Sequence, residues 1–167
     1  MFCCCCKPRC CCCCACTCAC SPSRPSRPAA ASGSGSFVGT VPVSLAPGAR
    51  VTFPLSAFEA SGMGINRAGN ALVVKKSGCY ALEFTAIFYS PSGNSGHVYI
   101  FDGTNRLGFT AWSTALLPRT VTETWSGNVN LTAGTELTLA VEGLVPSDVS
   151  LYGGTISAKL VGEGDCA

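Results

Sequence analysis

The sequence predicts an all-β fold, an antiparallel two-sheet sandwich preceded by a disordered, cysteine-rich N-terminal tail. Three observations carry that expectation. Apolar residues alternate strictly with polar ones in several segments, the period of a half-buried strand. Gly, Asn, Asp and Pro punctuate those segments at short intervals, and helical periodicity has little support. Charged residues make up only 12% of the 167-residue chain, against a usual value of about 25%.

The chain divides by composition. Residues 1–20 hold twelve of its 14 cysteines, and such a low-complexity run lacks the side-chain volume for a packed core of its own. Residues 21–36, "SPSRPSRPAAASGSGS", read as a linker, with a Pro-Ser-Arg half that favours extension and a flexible Gly-Ser half. Its span is about 20 Å coiled and about 50 Å extended. Residues 37–167 form the body, long enough to hold a core without cross-links.

Within the body, "CYALEFTAIFY" places Tyr80, Leu82, Phe84, Ala86 and Phe88 on one face, with Ala81, Glu83 and Thr85 on the other. The same period puts Leu137, Leu139 and Val141 inward in "ELTLAVEG", and Ile156, Ala158 and Leu160 inward in "TISAKLV". Asp102-Gly103 between "HVYIF" and "RLGFTAW" is a hairpin signal, because glycine accepts positive φ without steric cost. Further strands are expected near 37–45, 49–54, 71–75, 120–131 and 149–152. Eight to ten strands with no helix between them make a two-sheet sandwich.

Charge excludes some partners. Residues 1–36 carry four basic side chains and no acid, while the body carries seven basic and nine acidic ones. No basic stripe suits nucleic acid. A secretory signal is disfavoured, since residues 1–36 contain no Leu, Ile or Val. No stretch reaches the length of about 18 apolar residues that a membrane span needs.

Catalysis finds no constellation. His97 is the one histidine, eighteen residues from Cys79, and no second imidazole completes a metal site or relay. The nine carboxylates of the body are scattered. Glycines such as Gly62, Gly64, Gly153 and Gly154 follow no phosphate-binding template and read as turn formers. Asn130-Leu131-Thr132 matches a glycosylation acceptor, which carries little weight here. The chain is read as non-enzymatic.

"VPVSLAPGARVTFPL", "ALVVKKSGCYALEFTAIF", "VNLTAGTELTLAVEG" and "GGTISAKLV", in that order, resemble the BclA-like C-terminal domain of collagen-like exosporium glycoproteins, within the complement/tumour-necrosis-factor-like jelly-roll superfamily. The match covers about residues 37–162. It implies a jelly-roll sandwich with Gly78 turning the chain into a central strand, Tyr80 in the core with its hydroxyl near a polar edge, and Gly134 at a positive-φ corner. Two departures matter: Thr135 stands where relatives often place an acid, and the Gly-X-Y collagen stalk is absent. The resemblance further implies a homotrimer, a spore-surface location in the exosporium or outer coat, synthesis in the mother-cell cytoplasm, and both chain ends at one end of the sandwich.

The residues offer their own reason to expect a trimer. In "HVYIF" Val98 and Ile100 fall on one face and Tyr99 and Phe101 on the other, so both faces are apolar and need cover. Ile87, Tyr89 and Trp125 add large apolar groups, and aromatics are enriched at interface cores. The candidate interface is Ile87, Tyr89, Tyr99, Phe101 and Trp125; the alternative is that they fill the monomer's interior or stand exposed.

The thiols of the tract are Cys3, Cys4, Cys5, Cys6, Cys10, Cys11, Cys12, Cys13, Cys14, Cys16, Cys18 and Cys20. Adjacent cysteines pair poorly, because disulfides want Cα atoms about 4.4–6.8 Å apart and neighbours are about 3.8 Å apart. Bonds to other chains, such as other cysteine-rich surface-layer proteins, are therefore favoured once the compartment turns oxidising. Cys166 is assigned with the tract as a cross-linker. Cys79 reads as a small buried hydrophobe. Three alternatives stand beside cross-linking: zinc or copper binding, which "CACTCAC" fits best, palmitoylation beside Lys7 and Arg9 in a eukaryotic host, and no function. No other cofactor is expected. The leading function is a structural surface-layer protein anchored by intermolecular disulfides, with a ligand-binding, adhesin-like head or a thiolate metal-binding protein as alternatives.

Overall fold

The computed structural model describes residues 30–66, 68–114 and 117–166. The cysteine tract and residues 21–29 of the linker lie outside that set. Eleven strands occur among the described residues: β1 Ser32–Leu45, β2 Arg50–Thr52, β3 Ala57–Ser61, β4 Gly64–Ile65, β5 Leu72–Val73, β6 Gly78–Ser90, β7 Ser95–Phe101, β8 Arg106–Ser113, β9 Arg119–Leu131, β10 Glu136–Gly143 and β11 Ser147–Gly162. They form two sheets, β3-β1-β11-β6-β9 and β4-β5-β10-β7-β8, with β2 pairing β10 as well. All pairings are antiparallel. No described helix is long and apolar enough to cross a membrane.

The alternation read from the sequence sets which face of each strand turns inward. Tyr80, Leu82, Phe84, Ala86 and Phe88 of β6 are buried, as are Leu137, Leu139 and Val141 of β10 and Ile156, Ala158 and Leu160 of β11. With Val98 and Ile100 of β7 they join one core between the two sheets. Full burial of each leucine or phenylalanine contributes about 1.5–3 kcal/mol. The β7–β8 hairpin closes where Asp102 accepts from the backbone of Thr104 and Asn105 at 3.0 and 2.6 Å. Partial burial works to raise that carboxyl, but the Asn105 and Thr104 donors outweigh it and hold it below the ordinary value.

Tyr80 is fully buried, and its hydroxyl donates to the Lys76 carbonyl at 2.8 Å. Gly78 runs so close to the last turn of β11 that a Cβ there would collide with the Gly162 carbonyl. Gly134 has φ 95° and donates its N–H to the Val74 carbonyl at 2.8 Å.

Two expectations need correction. The segments 149–152 and 155–161 are one strand, β11, whose register shifts between Leu151 and Gly153. The extra residue bends the strand without ending it. The larger correction concerns the linker, because Ser32–Ser36 are not a flexible tether. They lie within β1, paired with Lys159–Thr155 on one side and Ser61–Ala57 on the other. "SGSGS" is a period-2 strand in which the inward positions carry no side chain. A Cβ on Gly35 would enter the Phe58 ring, and one on Gly33 would meet Met63 and Leu72 at 3.1 and 3.2 Å. The neighbours' side chains fill the space that these glycines leave.

Gly35→Val is therefore expected to lower stability by about 1–3 kcal/mol through overpacking, and Phe58→Ala should recover part of that loss. Chemical denaturation of the single and double variants measures it; an unchanged midpoint for Gly35→Val would return the segment to linker status.

Candidate functional site

β6 begins where β11 ends, with Cys79 opposite Gly162. After Gly162 the chain folds back over the ends of β6 and β9. Glu163 forms an ion pair with Lys76. Asn130 of β9 donates from Nδ2 to Asp165 at 3.2 Å and accepts the Cys166 N–H at 2.7 Å. Cys166 is disulfide-bonded to Cys79 across a Cα separation of 5.0 Å. Together these bonds make a clasp over the C-terminal residues. The side chain of Asn130, the acceptor residue of the glycosylation match, is part of it.

The disulfide corrects two assignments at once. Cys166 is not an unpaired cross-linker, and Cys79, although buried at 6% exposure, is not a free thiol. A signal was present in the sequence: Cys79 and Cys166 are the only two cysteines outside the tract. Only the pairing of β6 with β11 brings residues 87 apart within bonding distance. The disulfide also removes the Cys79–His97 thiol dyad from consideration.

The first described residues enter beside this clasp. The Leu160 N–H donates to the Ala31 carbonyl at 2.7 Å, so β1 enters next to the last residues of β11. Both ends of the body thus meet at one end of the sandwich.

Tyr99 and Phe101 do not form an exposed apolar strip. With Ala140 they make a second buried cluster on the outward side of the second sheet. The cover comes from within the chain: the Arg50 guanidinium lies 3.4 Å above the Phe101 ring and that of Arg106 lies 4.8 Å above Tyr99. The Tyr99 hydroxyl donates to Glu142 at 3.0 Å, and Arg106 forms an ion pair with the same carboxylate. Burial raises the Tyr99 pKa, and the hydrogen bond and charge of Glu142 add to the rise, while Arg106 and Arg50 oppose it. Trp125 is also internal in direction. It stacks near Phe84 at 6.3 Å and lies against Gly108, sealing the edge of the sandwich between β9 and β8.

Ile87 and Tyr89 do face outward, on the first sheet. Register aligns Val38, Gly153, Ile87 and Thr122 in one row across β1, β11, β6 and β9. Val38 is 91% exposed and Ile87 36%. The next rows are Ser36, Thr155, Thr85 and Thr124 on one side, and Pro42, Ser150, Tyr89 and Thr120 on the other. These twelve positions carry no charge. The result is an uncharged face of serine and threonine around Val38, Pro42, Ile87 and Tyr89.

His97 sits beside exposed Phe109 with the rings 5.7 Å apart, and its Nδ1 has no hydrogen-bond partner. No group of three or more His, Cys, Asp or Glu among the described residues could hold a metal ion.

No protein-family model and no curated protein matches this chain. Among solved structures, it is similar to Eiger TNF from S. frugiperda, with 17% identity and a TM-score of 0.55 over 84% of this chain and 96% of that one. It is also similar to murine APRIL, with 16% identity and a TM-score of 0.52 over 78% of this chain and 99% of that one. The fold is therefore a TNF-like jelly roll.

Two outcomes are expected. Replacing Cys79 and Cys166 together by serine should cost about 4–5 kcal/mol, the chain-entropy value for an 87-residue separation, and should expose residues 163–166 to carboxypeptidase; unfolding curves and digestion report both. Tyr80 is raised by burial, with Lys76 opposing, and Tyr99 is raised as above. Below the ordinary value of 10.0 neither state ionises. Above it the unfolded chain releases its protons first, so stability should fall as pH climbs from about 10 toward the higher folded values. Phenolate absorbance should show a late phase that Tyr80→Phe/Tyr99→Phe abolishes.

Proposed function

We propose that this chain is a structural surface-layer protein of the bacterial spore, of exosporium or outer-coat type, in which a trimeric BclA-like head is fastened by its cysteine tract through intermolecular disulfides. The observation that carries this reading is the meeting of chain start and C-terminal clasp at one end of the head. The tract joins the body at that end, so the opposite end is left for display. The body's two cysteines are bonded to each other, so the thiols this reading uses are the twelve cysteines of the tract.

The superfamily that the sequence resembles forms trimers. The uncharged outward face around Ile87 supplies a surface for that, since covering it desolvates no charged side chain. Three copies would gather three tracts on one side, where a high effective concentration of thiols favours joining the layer beneath. Synthesis in the reducing mother-cell cytoplasm would keep those thiols unpaired until release. The head is read as non-enzymatic and the tract as needing no cofactor.

Light scattering of the full chain, its free thiols capped with N-ethylmaleimide, should return three times the chain mass at micromolar concentration, and Ile87→Glu should return a monomer that still unfolds cooperatively. Washing native particles with detergent should leave the protein bound, and adding dithiothreitol should release it. Release without reductant would end the anchoring proposal; zinc or copper carried by the soluble form would favour metal binding instead.

A further inference from the structure

The clasp disulfide lies where the chain's other cysteines can reach it. β1, β11 and β6 are neighbours, and Cys79 lies two strands across and two residues along from the start of β1, about 12 Å away. Cys20 precedes Ala30 by ten residues, a reach of at most about 36 Å. The two sulfurs differ in access: Cys79 is buried at 6% exposure, and Cys166 is only partly buried, on the outermost segment of the clasp. A thiolate from solvent meets Cys166 first.

We propose that the Cys79–Cys166 disulfide is the head's own cross-linking site, opened by thiol–disulfide exchange with the tract of a neighbouring copy. This rests on the anchoring reading above and adds where on the head the bond is made. A tract thiolate attacks Cys166 Sγ, the tract–Cys166 bond forms, and the Cys79–Cys166 bond breaks. Cys79 leaves with the electron pair and takes a proton from solvent. One disulfide is consumed and one made, so no oxidant is needed. Protonated Cys79 then occupies its strand position as a small buried hydrophobe, a state the site suits. The oxidising equivalent is the one held in the Cys79–Cys166 bond, and twelve cysteines on each neighbouring tract supply the nucleophile. The exchange also releases Cys166 from Cys79 and leaves residues 163–166 on the Asn130 and Lys76 contacts alone.

The test uses two full-length chains. The acceptor is the natural chain purified without reductant and capped with N-ethylmaleimide, which leaves Cys79–Cys166 in place. The donor is isotope-labelled Cys79→Ser/Cys166→Ser, reduced and then freed of reductant under argon; its head need not fold for its tract to react. After oxygen-free mixing at mildly alkaline pH, peptide mapping should find labelled tract peptides bonded to unlabelled Cys166, with one new alkylatable thiol at Cys79 for each bond. Lowering the pH by one unit should slow the exchange roughly tenfold, as the thiolate fraction falls. Donor thiols that reduce a small aromatic disulfide but leave the Cys79–Cys166 peptide intact would overturn the proposal. Tract peptides bonded to Cys79 instead would overturn the assigned direction of attack. Cross-links found only between tracts would likewise refute it, yet leave the anchoring reading standing.

Discussion

The register of β11 between β1 and β6 is the constraint on which the rest of this molecule depends. A slip of one residue would turn every inward side chain of β11 to solvent, so burial of Leu151, Ile156, Ala158 and Leu160 locks the alignment. That one alignment sets three distant features. It places Gly162 opposite Cys79 and so permits the disulfide, it brings Ala31 beside Leu160 and so co-locates the chain ends, and it lines Val38 and Ile87 up across Gly153.

The two outward faces of the sandwich solve the exposure of apolar area differently. On the second sheet, β7 is apolar on both sides, and Arg50 and Arg106 lie over Phe101 and Tyr99 as a cationic roof, with Glu142 holding Arg106 in place. Guanidinium groups suit this position, because they stack on rings while remaining hydrated at their edges. On the first sheet no such roof exists around Val38 and Ile87 among the described residues, and their surroundings are serine, threonine, glycine, proline and Tyr89. One face is finished within the chain, and the other leaves Val38 and Ile87 exposed among the described residues.

How much was legible follows from what kind of signal each feature leaves. Strands β6, β10 and β11 were readable because a sheet buried on one side imposes a period of two on its composition. Tyr80 and Gly134 were readable because their roles are local, whereas Gly64, Gly153 and Gly154, read as turn formers, lie inside β4 and β11. The first residues of β1 were not, since "SGSGS" has the composition of a flexible tether and its fitness as a strand lies in Phe58, Met63 and Leu72, which fill the room above Gly33 and Gly35. Tyr99 and Phe101 were recognised as needing cover, but the cover comes from Arg50 and Arg106, about fifty residues before and a few residues after them in the chain.

The sequence by itself determined the fold class and the inward face of the main strands, because both depend on local alternation and composition. Tertiary structure decided that Cys79 and Cys166 pair, which aromatics are already covered, and where β1 enters. Those depend on residues 87 apart or on opposite ends of the chain, and antiparallel pairing brings such residues together through a register that no single segment encodes.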